Sequence, residues 1–160
     1  MWLALDLAGI NLHLRVRDYT KSSNEDWYTE WCQVDLTLQS GNWLHYCMST
    51  ENLLCCEVEE IRDTILDFLQ NKRDKPENLS FIEPDLSFHI HPFGCTGYSS
   101  MDLHVHLWDE GLTENYISVG FDRDDMEKFC SYLQFITGAI TREHEIVQQL
   151  LEEKIFQSDE

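Results

Sequence analysis

Two histidine pairs, His89-Ile90-His91 and His104-Val105-His106, carry the sharpest chemical pattern in this chain. Residues two apart in a strand share a face. If the two segments pair as a hairpin with His91 opposite His104, His89 falls opposite His106. Four imidazoles then line one face within reach of a Zn²⁺ or Ni²⁺ ion. The same spacing arises when histidine merely fills the polar face of two alternating strands. Zinc sites normally draw ligands from more than one face or element, and a one-residue slip breaks the alignment. No cofactor is therefore expected, and Zn or Ni at the histidine face is the alternative.

Nucleophilic chemistry has less to work with. Gly94-Cys95-Thr96-Gly97 places a thiol in a loop near those histidines, but no base or oxyanion donor is identifiable beside it. Carboxylate pairs such as Asp124-Asp125 and Glu152-Glu153 lie in hydrophilic stretches that read as solvated faces. Cys55-Cys56 is vicinal rather than CxxC, and no cysteine spacing matches a zinc ribbon. Cys32, Cys47, Cys56 and Cys130 alternate with apolar neighbours as small core residues. The expectation is a protein that is not an enzyme.

Charge is the larger signal. The chain holds 30 Asp and Glu against 11 Lys and Arg, a net of −19 over 160 residues. With 42% hydrophobic and 12% aromatic residues, it is too apolar for acidic disorder, so the acid decorates a folded surface. Such self-repulsion costs stability and points to a basic partner. It argues against nucleic acid and against an anionic membrane as direct ligands. From residue 101 to 127, Asp102, Asp109, Glu110, Glu114, Asp122, Asp124, Asp125 and Glu127 face only Arg123. The turn at 109–114 and the helix start at 122–125 would lie together if the intervening strand ran back alongside its neighbour. The candidate partner-binding set is thus Asp109, Glu110, Glu114, Asp122, Asp124 and Asp125. The helix dipole alone explains the last three, but not the first three. Glu25-Asp26-Trp27-Tyr28 sets aromatics beside acids, as an interface anchor or as plain core at a strand start.

These groups need elements to hold them. Alternation marks strands around 12–16, 32–38, 86–90, 103–107 and 117–121, with a short strand at 3–7 and a returning strand at 43–48. Ser40-Gly41-Asn42 and Asp109-Glu110-Gly111 read as turns. Ser49-Thr50 reads as the N-cap of a helix with Leu54, Val58, Ile61, Ile65 and Leu69 as its apolar stripe. Glu57, Glu59, Glu60, Asp63 and Asp67 would face outward. Residues 71–78 read as a linker. Asp122 caps a second helix carrying Met126, Phe129, Cys130, Leu133 and Ile136; Gly138 interrupts it, and Thr141 can cap a final helix. Each half reads strand, strand, strand, helix, about 1–75 and 76–138, with a helical extension at 139–160. Hairpin-linked strands with packed helices predict a single α+β domain of antiparallel sheet, with a duplicated βββα unit as its origin.

The opening Met1-Trp2-Leu3-Ala4-Leu5-Asp6 lacks a basic n-region and is not expected to be a signal peptide. No apolar run approaches the roughly 20 residues of a spanning helix. With reduced thiols expected, the cytoplasm is the expected compartment.

Glu25-Asp26-Trp27, the entry at Ser49-Thr50-Glu51-Asn52-Leu53, the step Phe81-Ile82-Glu83-Pro84-Asp85-Leu86, and Val119-Gly120-Phe121-Asp122 before an apolar helix together carry a resemblance. Over about residues 10–137 the chain resembles the WapI-like immunity proteins of bacteria. The resemblance implies a protein that binds and neutralises a cognate toxin domain of nuclease type. The two histidine pairs and the 139–160 extension lie outside its motifs, and it implies no catalytic residue. A metal-binding protein, or an interaction module with a non-toxin partner, are the other two readings.

Overall fold

Each half of the chain folds as a four-stranded antiparallel meander that runs into a helix. The computed structural model describes residues 1–21, 30–94 and 97–158. The first half holds β1 (Trp2–Leu7), β2 (Ile10–Arg17), β3 (Trp31–Ser40), β4 (Leu44–Leu54) and α1 (Cys55–Leu69). The second holds β5 (Glu77–Ser80), β6 (Leu86–His91), β7 (Ser100–Trp108), β8 (Leu112–Phe121) and α2 (Arg123–Ile136). Then come α3 (Glu145–Glu152) and β9 (Phe156–Gln157). The sheets run β4-β3-β2-β1-β9 and β5-β6-β7-β8. The α+β class holds; each half places four strands before its helix, where three were expected. Glu25-Asp26-Trp27-Tyr28 and the thiol of the 94–97 loop lie outside the described residues.

Alternation buries one face of each sheet. Leu3, Leu5, Leu12, Leu14, Val34, Leu36 and Leu38 line the inner face of the first; Leu86, Phe88, Ile90, Leu103, Val105 and Val119 line that of the second. Both rows join one buried cluster with residues of all three helices. The bridge is α2. Its Phe129 lies 5.7 Å from both Phe88 of β6 and Phe121 of β8. One turn on, the fully buried Tyr132 reaches the first sheet. Its hydroxyl accepts from the Val16 N–H at 2.9 Å and donates to the Met1 carbonyl at 3.2 Å.

The structure corrects several expectations. Ser49 and Thr50 do not cap α1. They stay in β4, opposite Asp35 and Val34, because the ten-residue β3 keeps offering ladder partners past them. The helix starts only after Leu54, whose N–H is accepted by the Glu57 carboxylate at 2.8 Å. Glu57 is therefore buried, not outward, and its other oxygen accepts from the Ile82 N–H at 3.0 Å. One side chain thus caps α1 and ties it to the β5–β6 connection. The 71–78 linker is shorter than expected because β5 begins at Glu77. Its four residues bury only Leu79, too brief an alternation to read. Thr141 does not cap α3; the His144 imidazole does, accepting from Ile146 N–H at 3.3 Å. Cys47 is exposed, since β4 turns Tyr46 and Met48 toward the core, and Cys55 rather than Cys56 is the buried member of its pair. Gly138, at φ +74, follows the end of α2 as expected. The C-terminal extension has a structural task, because β9 pairs with the start of β1.

The outer face of the first sheet carries a compact charge cluster. Asp35 accepts from Arg15 at 2.9 Å, Arg17 at 3.0 and 3.2 Å, and Ser49 at 2.6 Å. Burial alone would raise its carboxyl, but the hydrogen bonds from Arg17, Ser49 and Arg15 outweigh it and hold the group down to about 2. A depressed acid stabilises the fold above its unfolded value, near 4, and loses that contribution as pH falls through the folded value. Wild type should therefore lose about 2 kcal/mol between pH 5 and pH 2 through this group. Asp35→Asn should show that much lower stability at pH 7 and a flatter acid limb in urea titrations. An unchanged acid limb would show that the cluster is not coupled to folding.

Candidate functional site

The open face of the second sheet gathers the histidines, but in a different register from the one expected. His104 lies opposite Ser87, and His89 opposite Asp102. The pairing is four residues away from the His91–His104 alignment, an even shift, so the imidazoles keep a common face while losing the rectangle. His89 and His104 approach diagonally, with ring centroids 4.1 Å apart. His104 stacks on Tyr116 at 4.2 Å, and His106 packs on the same tyrosine at 5.6 Å. The Ser87 hydroxyl sits 3.3 Å from His89 Nε2 and 3.2 Å from His106 Nε2. His91 stands apart, 3.6 Å from Asp102. Burial, followed by the neighbouring His89, pulls the His104 imidazole below its ordinary value. These rings floor a cleft of about 470 Å³, walled by Pro84, Leu112 and Tyr116. Among the described residues, the histidines do not gather three ligand atoms within 4.8 Å; only Asp122, Asp124 and Asp125 do.

At one end of this face, Asp85 positions the β7–β8 hairpin. Its carboxylate accepts from the Trp108 indole N–H at 2.6 Å and from the buried Asn52 amide at 2.9 Å. Its carbonyl accepts from the His106 N–H at 2.8 Å. The Glu83-Pro84-Asp85 step thus pins the end of β7. Beyond it, Trp108 is 53% exposed, Leu112 47% and Tyr116 50%. Asp109, Glu110 and Glu114 flank them along the hairpin sequence, all exposed. No ion pair among the described residues engages any of the three. Glu110 holds φ +55 at the tip, a backbone region that L residues rarely adopt.

The other three candidate acids are elsewhere. Asp122 follows the far end of β8, where Phe121 pairs with Met101. β8 has ten residues; at roughly 3.3 Å per residue, the turn and the helix start lie about 30 Å apart. The expectation of one continuous patch is therefore corrected: antiparallel return along β7 carries the two groups to opposite ends. The helix-start acids are locally engaged. Asp122 accepts from Asp125 N–H at 2.9 Å, and Asp125 from Asp122 N–H at 3.2 Å. Asp124 pairs with Lys128 at 2.6 Å. Burial, then the charge of Asp122, raises the Asp125 carboxyl to about 6, against the backbone hydrogen bond that lowers it. A raised acid favours the fold when protonated, so stability through this group declines as pH climbs from about 4 to about 6. Asp125→Asn, which keeps an acceptor for the cap, should remove that decline in thermal melts across this range. A decline of equal size in the variant would assign it to other groups.

Trp108, Leu112, Tyr116 and Asp85 were not expected as site residues. The Glu-Pro-Asp step was the one signal pointing near them. What fold and face together define is an α+β protein of two antiparallel meanders, with an acidic, aromatic hairpin end. The chain belongs to the WapI-like immunity protein family, whose model matches residues 4–140. Membership supports an immunity-protein role. No curated protein matches the chain significantly. No helix of the described residues is long and apolar enough to cross a membrane.

Proposed function

We propose that this chain is a cytoplasmic immunity protein that binds and neutralises a basic, nuclease-like toxin domain through the end of its β7–β8 hairpin. The observation that carries this reading is the placing together, at one hairpin, of exposed aromatics and acids that have no ion-pair partner among the described residues. Asp109, Glu110 and Glu114 flank Trp108, Leu112 and Tyr116 along the hairpin, and all six are exposed. Aromatic anchors with a charged rim are the composition of an interface hot spot. The hydrogen bond from the Trp108 indole to Asp85 restrains that side chain and so reduces the ordering cost of binding. A nuclease domain must bind phosphate and carries positive charge for it. A −19 chain steers such a partner toward itself. The helix-start acids Asp122, Asp124 and Asp125 add to that long-range field while serving α2 locally.

The test is co-expression with the toxin domain encoded beside this chain's own gene. The expected result is rescued growth, a co-purifying complex, and an association rate that falls about tenfold or more from low to physiological salt. Absence of any complex at low salt would reject the reading.

A further inference from the structure

We propose, resting on the toxin-binding reading above, that the free edge of β8 receives an extended basic segment of the toxin as an added strand. In the sheet order β5-β6-β7-β8, β8 is hydrogen-bonded on one side only among the described residues. Which of its backbone groups face outward follows from the ladder. His106 N–H donates to Asp85 on the β6 side, so the even residues of β7 turn their backbone groups toward β6 and the odd ones toward β8. Met101, Leu103 and Val105 pair with Phe121, Val119 and Ile117. Tyr116, Ser118 and Gly120 therefore turn their N–H and C=O groups away from β7. Asn115 agrees with this parity, since its N–H meets the Thr113 hydroxyl, which itself donates to the Leu107 carbonyl of β7.

A ten-residue edge with no second strand beside it among the described residues is a template for another strand, and folded proteins commonly blunt such edges with lysine or proline. β8 carries neither, and β1 approaches it without pairing. The other sheet also ends in a long edge, β4, but charge selects β8. Its only ionisable charge is Glu114, and Asp109 and Glu110 stand at its entrance. A partner strand laid there meets three carboxylates, so it fits a segment rich in lysine or arginine. Tyr116 and Leu112, exposed on the same strand, supply apolar contact for alternate side chains of the incoming segment.

The experiment is hydrogen exchange on the full chain in three states. These are the chain alone, the chain with an inactivated form of the toxin domain encoded beside its gene, and the chain with a ten-residue peptide of alternating lysine and valine. The expected result is about tenfold or greater slowing at the amides of Tyr116, Ser118 and Gly120 with the toxin domain. The peptide should slow the same amides, and a copy N-methylated on one edge should not. Ser118→Pro removes an outward N–H without touching the β7 ladder, and should weaken toxin binding about tenfold while leaving the melting temperature near wild type. If the toxin domain binds but these amides exchange as in the free chain, strand addition is overturned and the toxin-binding reading stands. If the toxin domain does not bind at all, both fall. If Ser118→Pro lowers the melting temperature, the exchange data decide alone.

Discussion

Tyr132→Ala is expected to cost about 3–5 kcal/mol of unfolding free energy, the range for removing a large buried aromatic. Domains of this size are stable by about 5–15 kcal/mol, so the loss takes a large share and should drop the melting temperature by about 10 °C. The size follows from position. Tyr132 is fully buried on the helix that joins the two sheets, with its ring 5.8 Å from Phe156 of β9. Its hydroxyl serves the Val16 N–H and the Met1 carbonyl. Tyr132→Phe separates the two effects, keeping the ring against Phe156 while stripping a donor and an acceptor of their shared partner. An unsatisfied buried group costs about 1–3 kcal/mol, so Phe should fall between wild type and Ala in urea unfolding. If Phe were as stable as wild type, the two backbone groups must have other partners, and the bridge would be a matter of packing alone.

How much of this was legible in the residues depends on what each feature is made from. The strands at 12–16, 32–38, 86–90 and 103–107 were readable because helices bury one face of each, and burial of one face imposes period two. Asp122 and Gly138 were readable because the ends of α2 use local chemistry, a carboxylate accepting from an N–H three residues on and a left-handed residue past the helix end. β5 and β9 were not, since four and two residues carry too little alternation and their strand character comes from partners distant in sequence. Ser49-Thr50 has the side chains of a cap, yet the β3 ladder overrides local propensity there. The histidines divide the same way. Their shared face is a matter of parity, which alternation sets. Their register is a matter of the connection, and the eight residues between His91 and Ser100 are too many to set it as a two-residue turn would. The acidic patch failed for a related reason: residues 109 and 122 are close in sequence, but an extended strand between them is the longest spacer the chain can make.

That separation gives the second large prediction its design. Reversing the hairpin acids together, Asp109→Lys, Glu110→Lys and Glu114→Lys, should slow association with the toxin domain about 100-fold and flatten its salt dependence, because like charges then meet across the contact. The fold should survive. All three side chains are exposed, and lysine at 110 bears the same backbone demand at φ +55 that glutamate already meets. The control carries the same change in net charge on other exposed surfaces: Glu51→Lys, Glu60→Lys and Glu143→Lys. It lowers the long-range field equally but leaves the hairpin intact, so it should slow association by about tenfold at most. Stopped-flow association rates over a salt series distinguish the two. A toxin that docks elsewhere would respond to both variants alike, since it would sense only the total charge. A toxin that docks at the hairpin must respond far more to the first, and Asp124→Asn, at the other end of β8, should then leave the rate near wild type.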